Sequence, residues 1–172
     1  MNNAPPQDPQ SGKLPAFVWW ATTIAWTLTI YELSTATYGV SLTGWLLSEF
    51  LRITGIQVSQ ESFHAIHFFL RKLAHLTEYC IYALLLYGSF GAGKDFRWSW
   101  RRALICIFIA SGYSLTDELH QWFVPGRGGS IRDSALDAGG AMLGMAGLYV
   151  FSLVSGARTN SSAASVAKPA ET

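Results

Sequence analysis

The chain has 172 residues, of which 50% are hydrophobic and 13% charged, with a formal net charge of +1. Soluble domains carry about 25% charged residues, so this chain lacks the charge to cover a water-facing surface of ordinary composition. The near-zero net charge gives no footprint for nucleic acid. Its apolar residues come in long blocks and include seven Trp, ten Phe and seven Tyr. That pattern points to an all-α integral membrane bundle.

In chain order, residues 1–13 are polar and Pro/Gln-rich and read as a disordered tail. A membrane domain is expected over residues 14–155, with spans near 16–33, 66–90, 103–122 and 132–153, each close to the roughly 20 residues a bilayer requires. A cleaved signal peptide is the rival reading of the first span, but its apolar run is long and rich in Trp for an h-region. Between the first two spans, Trp45, Leu46, Phe50 and Ile53 can share a helical stripe, so this stretch reads either as an interfacial helix or as an anchored loop. Residues 156–172 are Ser/Ala-rich and read as a second disordered tail. Gly140 and Gly144 form a GxxxG pair, a motif for close helix approach and a candidate for self-association. Cys80 and Cys106 lie in separate apolar blocks and read as buried free thiols.

The loop 88–102 carries Lys94, Arg97, Arg101 and Arg102 against one acid, Asp95. The positive-inside rule makes this loop cytoplasmic, and with four spans both termini follow it. The polar start of span two, the polar end of span three and the polar start of span four then share the outer face.

Those polar ends hold the candidate site. Lys72, His75 and Glu78 recur at i, i+3 and i+6, with Tyr79 beside them. Asp117, His120 and Gln121 share one side of span three, whereas Glu118 points about 100° from Asp117. Arg127 follows Pro125-Gly126 in a turn, and Asp133 and Asp137 lie one turn apart. Each has a bland explanation: Lys72 can snorkel, and Ser130 to Asp133 looks like a capping box. Together they exceed what snorkelling needs, and ionisable residues in membrane helices point to function. Lys72 and Arg127 suit an anionic group; His75 and His120 with Glu78, Asp117 or Glu118 suit general acid–base work. No HExxH, GxSxG, Walker or dinucleotide signature is present, so no metal or cofactor is expected.

Lys72-x-x-His75-x-x-Glu78-Tyr79, Asp117-Glu118-x-His120-Gln121, Pro125-Gly126-Arg127 and Asp133-x-x-x-Asp137-x-x-Gly140 together resemble the VanZ-like membrane protein family. The resemblance covers residues 19–150. The family pattern often has Asn where this chain has Asp137. The resemblance implies a small multi-span protein of the bacterial inner membrane, in a family named for an accessory protein of low-level teicoplanin resistance. The leading expectation is a protein without demonstrated enzymatic activity. It would bind an anionic lipid headgroup or a lipid-linked cell-wall precursor through Lys72, His75, Glu78, Tyr79, Glu118, His120, Gln121, Arg127, Asp133 and Asp137. The alternative is a membrane hydrolase or transferase acting on lipid-linked phosphates.

Overall fold

A computed structural model describes residues 14–34, 39–92, 98–123 and 130–166, with backbone alone at 39–41 and 156–166. Within these residues the protein is all-α. Its helices are α1 (Ala16–Ser34), α2 (Gly39–Thr54), α3 (Gln60–Gly91), α4 (Trp100–Phe123) and α5 (Ile131–Val166).

Each helix begins or ends where its sequence supplies the chemistry. Ser59 caps α3, its hydroxyl accepting from the Ser62 amide at 3.2 Å. The Ser99 carbonyl takes the Ala103 amide at 3.0 Å as α4 begins. The glycine at position 55, with φ of 70°, closes α2 in the left-handed conformation that glycine adopts without penalty. Of the two readings of the 35–60 stretch, the helix is the one formed: α2 covers Gly39–Thr54. The final helix runs to Val166, past the expected end of the span at 153 and into the Ser/Ala-rich stretch. That stretch has helix-tolerant composition and meets no proline before Pro169.

The helix directions follow from which residues meet. Lys72 pairs with Asp133, His75 faces Asp137, Leu76 abuts Gly140 and Cys80 abuts Gly144, so α3 and α5 run parallel. The α4 helix returns between them, with Ser114 meeting Asp137 and Glu118 meeting Ser130. The α1 helix is antiparallel to α3, as Thr23 meets Ser89 and the Trp26 indole meets the Glu78 carbonyl. Directions therefore alternate through α1, α3, α4 and α5, and α3 packs against all four other helices.

The core is built from tyrosines and small residues. Tyr79, Tyr82, Ala83, Leu86 and Tyr87 of α3 meet Ala103, Cys106 and Ala110 of α4, with Ala141 and Met145 of α5. Many large apolar side chains instead point outward, among them Phe108 at 80% exposure and Ile131 at 83%. Buried polar residues lie inside, including Ser114, Asp117, Glu118, Gln121, Ser134 and Asp137. This inverts the usual order of a water-soluble domain. One helix is long and apolar enough to cross a membrane by length and composition. It is the Ile131–Ser155 part of α5, with mean hydropathy 1.5 and only 22% of the tested stretch buried.

The α1 helix carries several threonines, but the hydroxyls of Thr22, Thr23, Thr27 and Thr29 each donate to the carbonyl four residues back, at 2.8–2.9 Å. Such back-bonding satisfies a hydroxyl without water. The α2 helix touches α3 through the Thr43 hydroxyl and His67 Nε2 at 2.8 Å and through buried Leu47, leaving Trp45, Phe50 and Ile53 exposed.

The GxxxG pair acts within the chain. A Cβ on Gly140 would run into the Leu76 carbonyl oxygen, and one on Gly144 would sit 2.8 Å from that of Cys80. Both glycines are buried against α3 and form an intramolecular seam. A Cβ at neighbouring Gly139 meets nothing within 4 Å. Gly140→Ala is therefore expected to cost about 1–3 kcal/mol of stability, as overpacking does. Gly139→Ala should be neutral or gain up to about 1 kcal/mol from helix propensity. Thermal unfolding of both variants in detergent checks the pair, and equal effects would contradict the seam.

Candidate functional site

The alternating helix directions bring three polar stripes to one end of the bundle. On α3, Lys72, His75 and Tyr79 face α4 and α5. On α4, Ser114, Asp117, Glu118 and Gln121 line the buried face, continuing the stripe of small residues at Ala103, Cys106 and Ala110. On α5, Asp133, Ser134 and Asp137 occupy the first two turns, ahead of the glycine seam. Burial rises inward. The side chains of Lys72 and Asp133 are 25% and 21% exposed, whereas Asp137 and Tyr79 are fully enclosed.

Asp137 is the hub. Its Oδ2 accepts from the Ser114 hydroxyl at 2.7 Å, and its Oδ1 lies 3.5 Å from His75 Nδ1. The Tyr79 hydroxyl lies among Ser114, Asp117 and Asp137. Asp117 Oδ2 accepts from Gln121 Nε2 at 3.1 Å along its own helix. Glu118 Oε2 accepts from the Ser130 backbone amide at 2.7 Å, so a carboxylate of α4 satisfies a free amide at the start of α5. Lys72 and Asp133 form an ion pair between α3 and α5, and the Lys72 ammonium also stands 5.2 Å from the Phe68 ring centre.

Four buried atoms of this cluster have no hydrogen-bond partner, Tyr79 Oη, Asp117 Oδ1, Glu118 Oε1 and Ser134 Oγ, while His75 Nδ1 and Asp137 Oδ1 face each other at 3.5 Å. Buried polar atoms are nearly always paired, so these atoms on three facing helices leave hydrogen-bonding capacity for further donors or for water. Among the described residues no group of three or more His, Cys, Asp or Glu side chains is placed to hold a metal ion.

Several expected site residues take other positions. Glu78 turns from the α4–α5 side toward α1 and borders an open apolar groove with Trp26, Leu73, Ala74 and Thr77. His120 packs its ring on Tyr31 of α1, with centroids 5.1 Å apart, while Glu118 points inward beside Asp117 and Gln121. Helical spacing puts Asp117, His120 and Gln121 on one side of α4, with Glu118 about 100° from Asp117. The α4 helix has neighbours on more than one side, so a rotation of 100° exchanges one helix contact for another rather than protein for lipid. Asp133 reaches Lys72, and Glu118 provides the carboxylate that a capping box at Ser130 would have drawn from Asp133. Arg127 lies outside the described residues. Ser114 and Ser134 were not singled out in the sequence. Each stands three residues before a site aspartate, Asp117 or Asp137, on the same helical face, and that spacing was the available signal.

The Glu118 contact has a measurable role. Glu118→Ala should remove about 1–2 kcal/mol, the range for a lost cap or a charged hydrogen bond. It should also accelerate amide exchange at residues 130–134 more than elsewhere. Protection of those amides equal to that of the parent protein would show that the contact does not hold the start of α5.

A family model described as VanZ/LLP1 matches residues 16–152. No curated protein and no solved structure matches the chain.

Proposed function

Because the chain belongs to the VanZ/LLP1 family, we propose that it is a multi-pass protein of the bacterial inner membrane that binds a cell-envelope lipid or lipid-linked wall precursor in its polar core. The observation that carries this reading is the inverted bundle: large apolar side chains face outward while buried acids, a histidine and hydroxyls from three helices converge inside. In this reading α1, α3, α4 and α5 all cross the bilayer. The α5 helix passes on composition alone. The α1 threonines hide their hydroxyls in the helix, the charges of α3 lie in its first two-thirds, and those of α4 lie toward its two ends. The α3 helix, about 48 Å long at 1.5 Å per residue, exceeds a hydrocarbon core of about 30 Å, so its start and the adjoining α2 stand at the membrane surface. The basic loop between α3 and α4 is cytoplasmic and the polar cluster lies at the outer end.

A headgroup would enter the cluster, and the groove between α1 and α3 would receive a hydrocarbon chain at the same level of α3. The engagement of Lys72 with Asp133 leaves Arg127, three residues ahead of Ser130, as the main contact for a phosphate. Sequestering an envelope precursor is also how such a protein would lower sensitivity to a glycopeptide. Native mass spectrometry of the detergent-purified protein tests the anion contact. Arg127→Ala should lower retention of anionic phospholipid by about tenfold, the worth of one charged hydrogen bond. Retention equal to the parent would overturn it.

The approach of His75 to Asp137 supports a second reading, a hydrolase or transferase on lipid-linked phosphates in which Asp137 orients His75 as acid or base. The purified protein should then turn over a polyprenyl phosphate or diphosphate, and His75→Ala should abolish the reaction. Absence of turnover by the parent protein across such a panel removes this reading.

A further inference from the structure

The unpartnered atoms in the core differ in chemical kind, and their kinds select among headgroups. Two are carboxylate oxygens of α4, Asp117 Oδ1 and Glu118 Oε1, and a third, Asp137 Oδ1 of α5, has only the His75 nitrogen at 3.5 Å. Two are hydroxyls, on Tyr79 at 0% exposure and Ser134 at 6%, which can accept as well as donate. Only His75 supplies an ionisable nitrogen among these atoms, and it already faces Asp137. The nearby lysine gives its charge to Asp133. Among the described residues the core therefore has acceptors in excess of donors. A phosphate placed among these atoms would meet like charges in a low-dielectric interior, where repulsion is least screened.

We propose that the polar core is the seat of a primary ammonium group, so that the envelope ligand is a lipid whose headgroup carries a free amine beside its phosphate. This rests on the reading of the cluster as a headgroup site and names what that site recognises. An ammonium carries three donors on a compact charge, matching several carboxylate and hydroxyl acceptors at once. A quaternary ammonium has the charge without the donors, and a glycerol headgroup has donors without the charge. The phosphate of the same headgroup lies outside the acids, toward the more exposed end marked by Lys72 and Asp133.

Chain-matched phosphatidylethanolamine, phosphatidylcholine and phosphatidylglycerol, offered singly in mixed micelles to the delipidated full-length protein, test the proposal by native mass spectrometry. Phosphatidylethanolamine should be retained about tenfold better than phosphatidylcholine, which has the same charges without N–H donors. Soluble phosphoethanolamine, but not phosphocholine, should displace it, which separates recognition of the amine from retention by the acyl chains. Asp117→Asn and Asp137→Asn should erase the preference. Tyr79→Phe, which removes one orphan hydroxyl and keeps the ring, should weaken it. Equal retention of phosphatidylethanolamine and phosphatidylcholine by the parent protein would overturn the amine proposal and leave the headgroup reading standing, and that comparison depends on no variant folding. Retention of none of the three lipids would remove the headgroup reading itself. A preference that survives in both aspartate variants would also overturn the proposal.

Discussion

The parallel seam between α3 and α5 sets the geometry on which the site depends. At Gly140 the backbone of α5 lies so close to the Leu76 carbonyl that only hydrogen fits between them, and Gly144 repeats the approach at Cys80. Backbones this near have one register, since sliding by a residue would swing the glycines aside and drive Leu143, or Ala141 and Met145, into α3. The register fixes the pairs above it: Asp137 comes opposite His75, and Asp133 opposite Lys72. A steric contact between small groups thus aligns electrostatic contacts one and two turns away.

The α4 helix converts this seam into an enclosed cluster. Its buried face changes along its length from Ala103, Cys106 and Ala110 to Ser114, Asp117, Glu118 and Gln121. The small residues let α4 lie close to its neighbours at one end, and the polar ones fill the space at the other. Ser114 and Glu118 then tie α4 to α5 at Asp137 and at Ser130, the residue before that helix starts. Outside, the bundle presents Phe, Leu, Ile and Trp. Such a surface is stable only against something apolar, and a buried acid is tolerated only with charge or donors nearby.

Helical spacing revealed much of this in the sequence. The interval from Lys72 to His75 and that from Asp133 to Asp137 placed each pair on one face, and the long apolar blocks gave the four long helices. What spacing cannot supply is the identity of the neighbour at each angle. His120 was expected inside because it shares a side with Asp117, yet Tyr31 of α1 occupies that direction. Glu118 looked displaced by 100°, yet that direction leads to the start of α5. The GxxxG pair was legible as a site of close approach, but whether a second chain or α3 would fill it depended on the relative directions of helices far apart in sequence. Glu78 shows the same limit, since one turn of α3 carries it from the acid cluster to the α1 groove.

The register also constrains how this protein can change over time. The ion pair at Asp133, the buried Asp137 and the glycine at 140 are spaced in helical turns, so inserting or deleting one residue between them would rotate the polar groups out of line with the seam. Lineages of this fold should keep the length of that segment constant while its side chains drift. An exchange of aspartate for asparagine at 137 would be a change of that permitted kind. It would swap a carboxylate oxygen for an amide nitrogen in an unaltered frame, changing the polar core by one atom without the bundle being rebuilt.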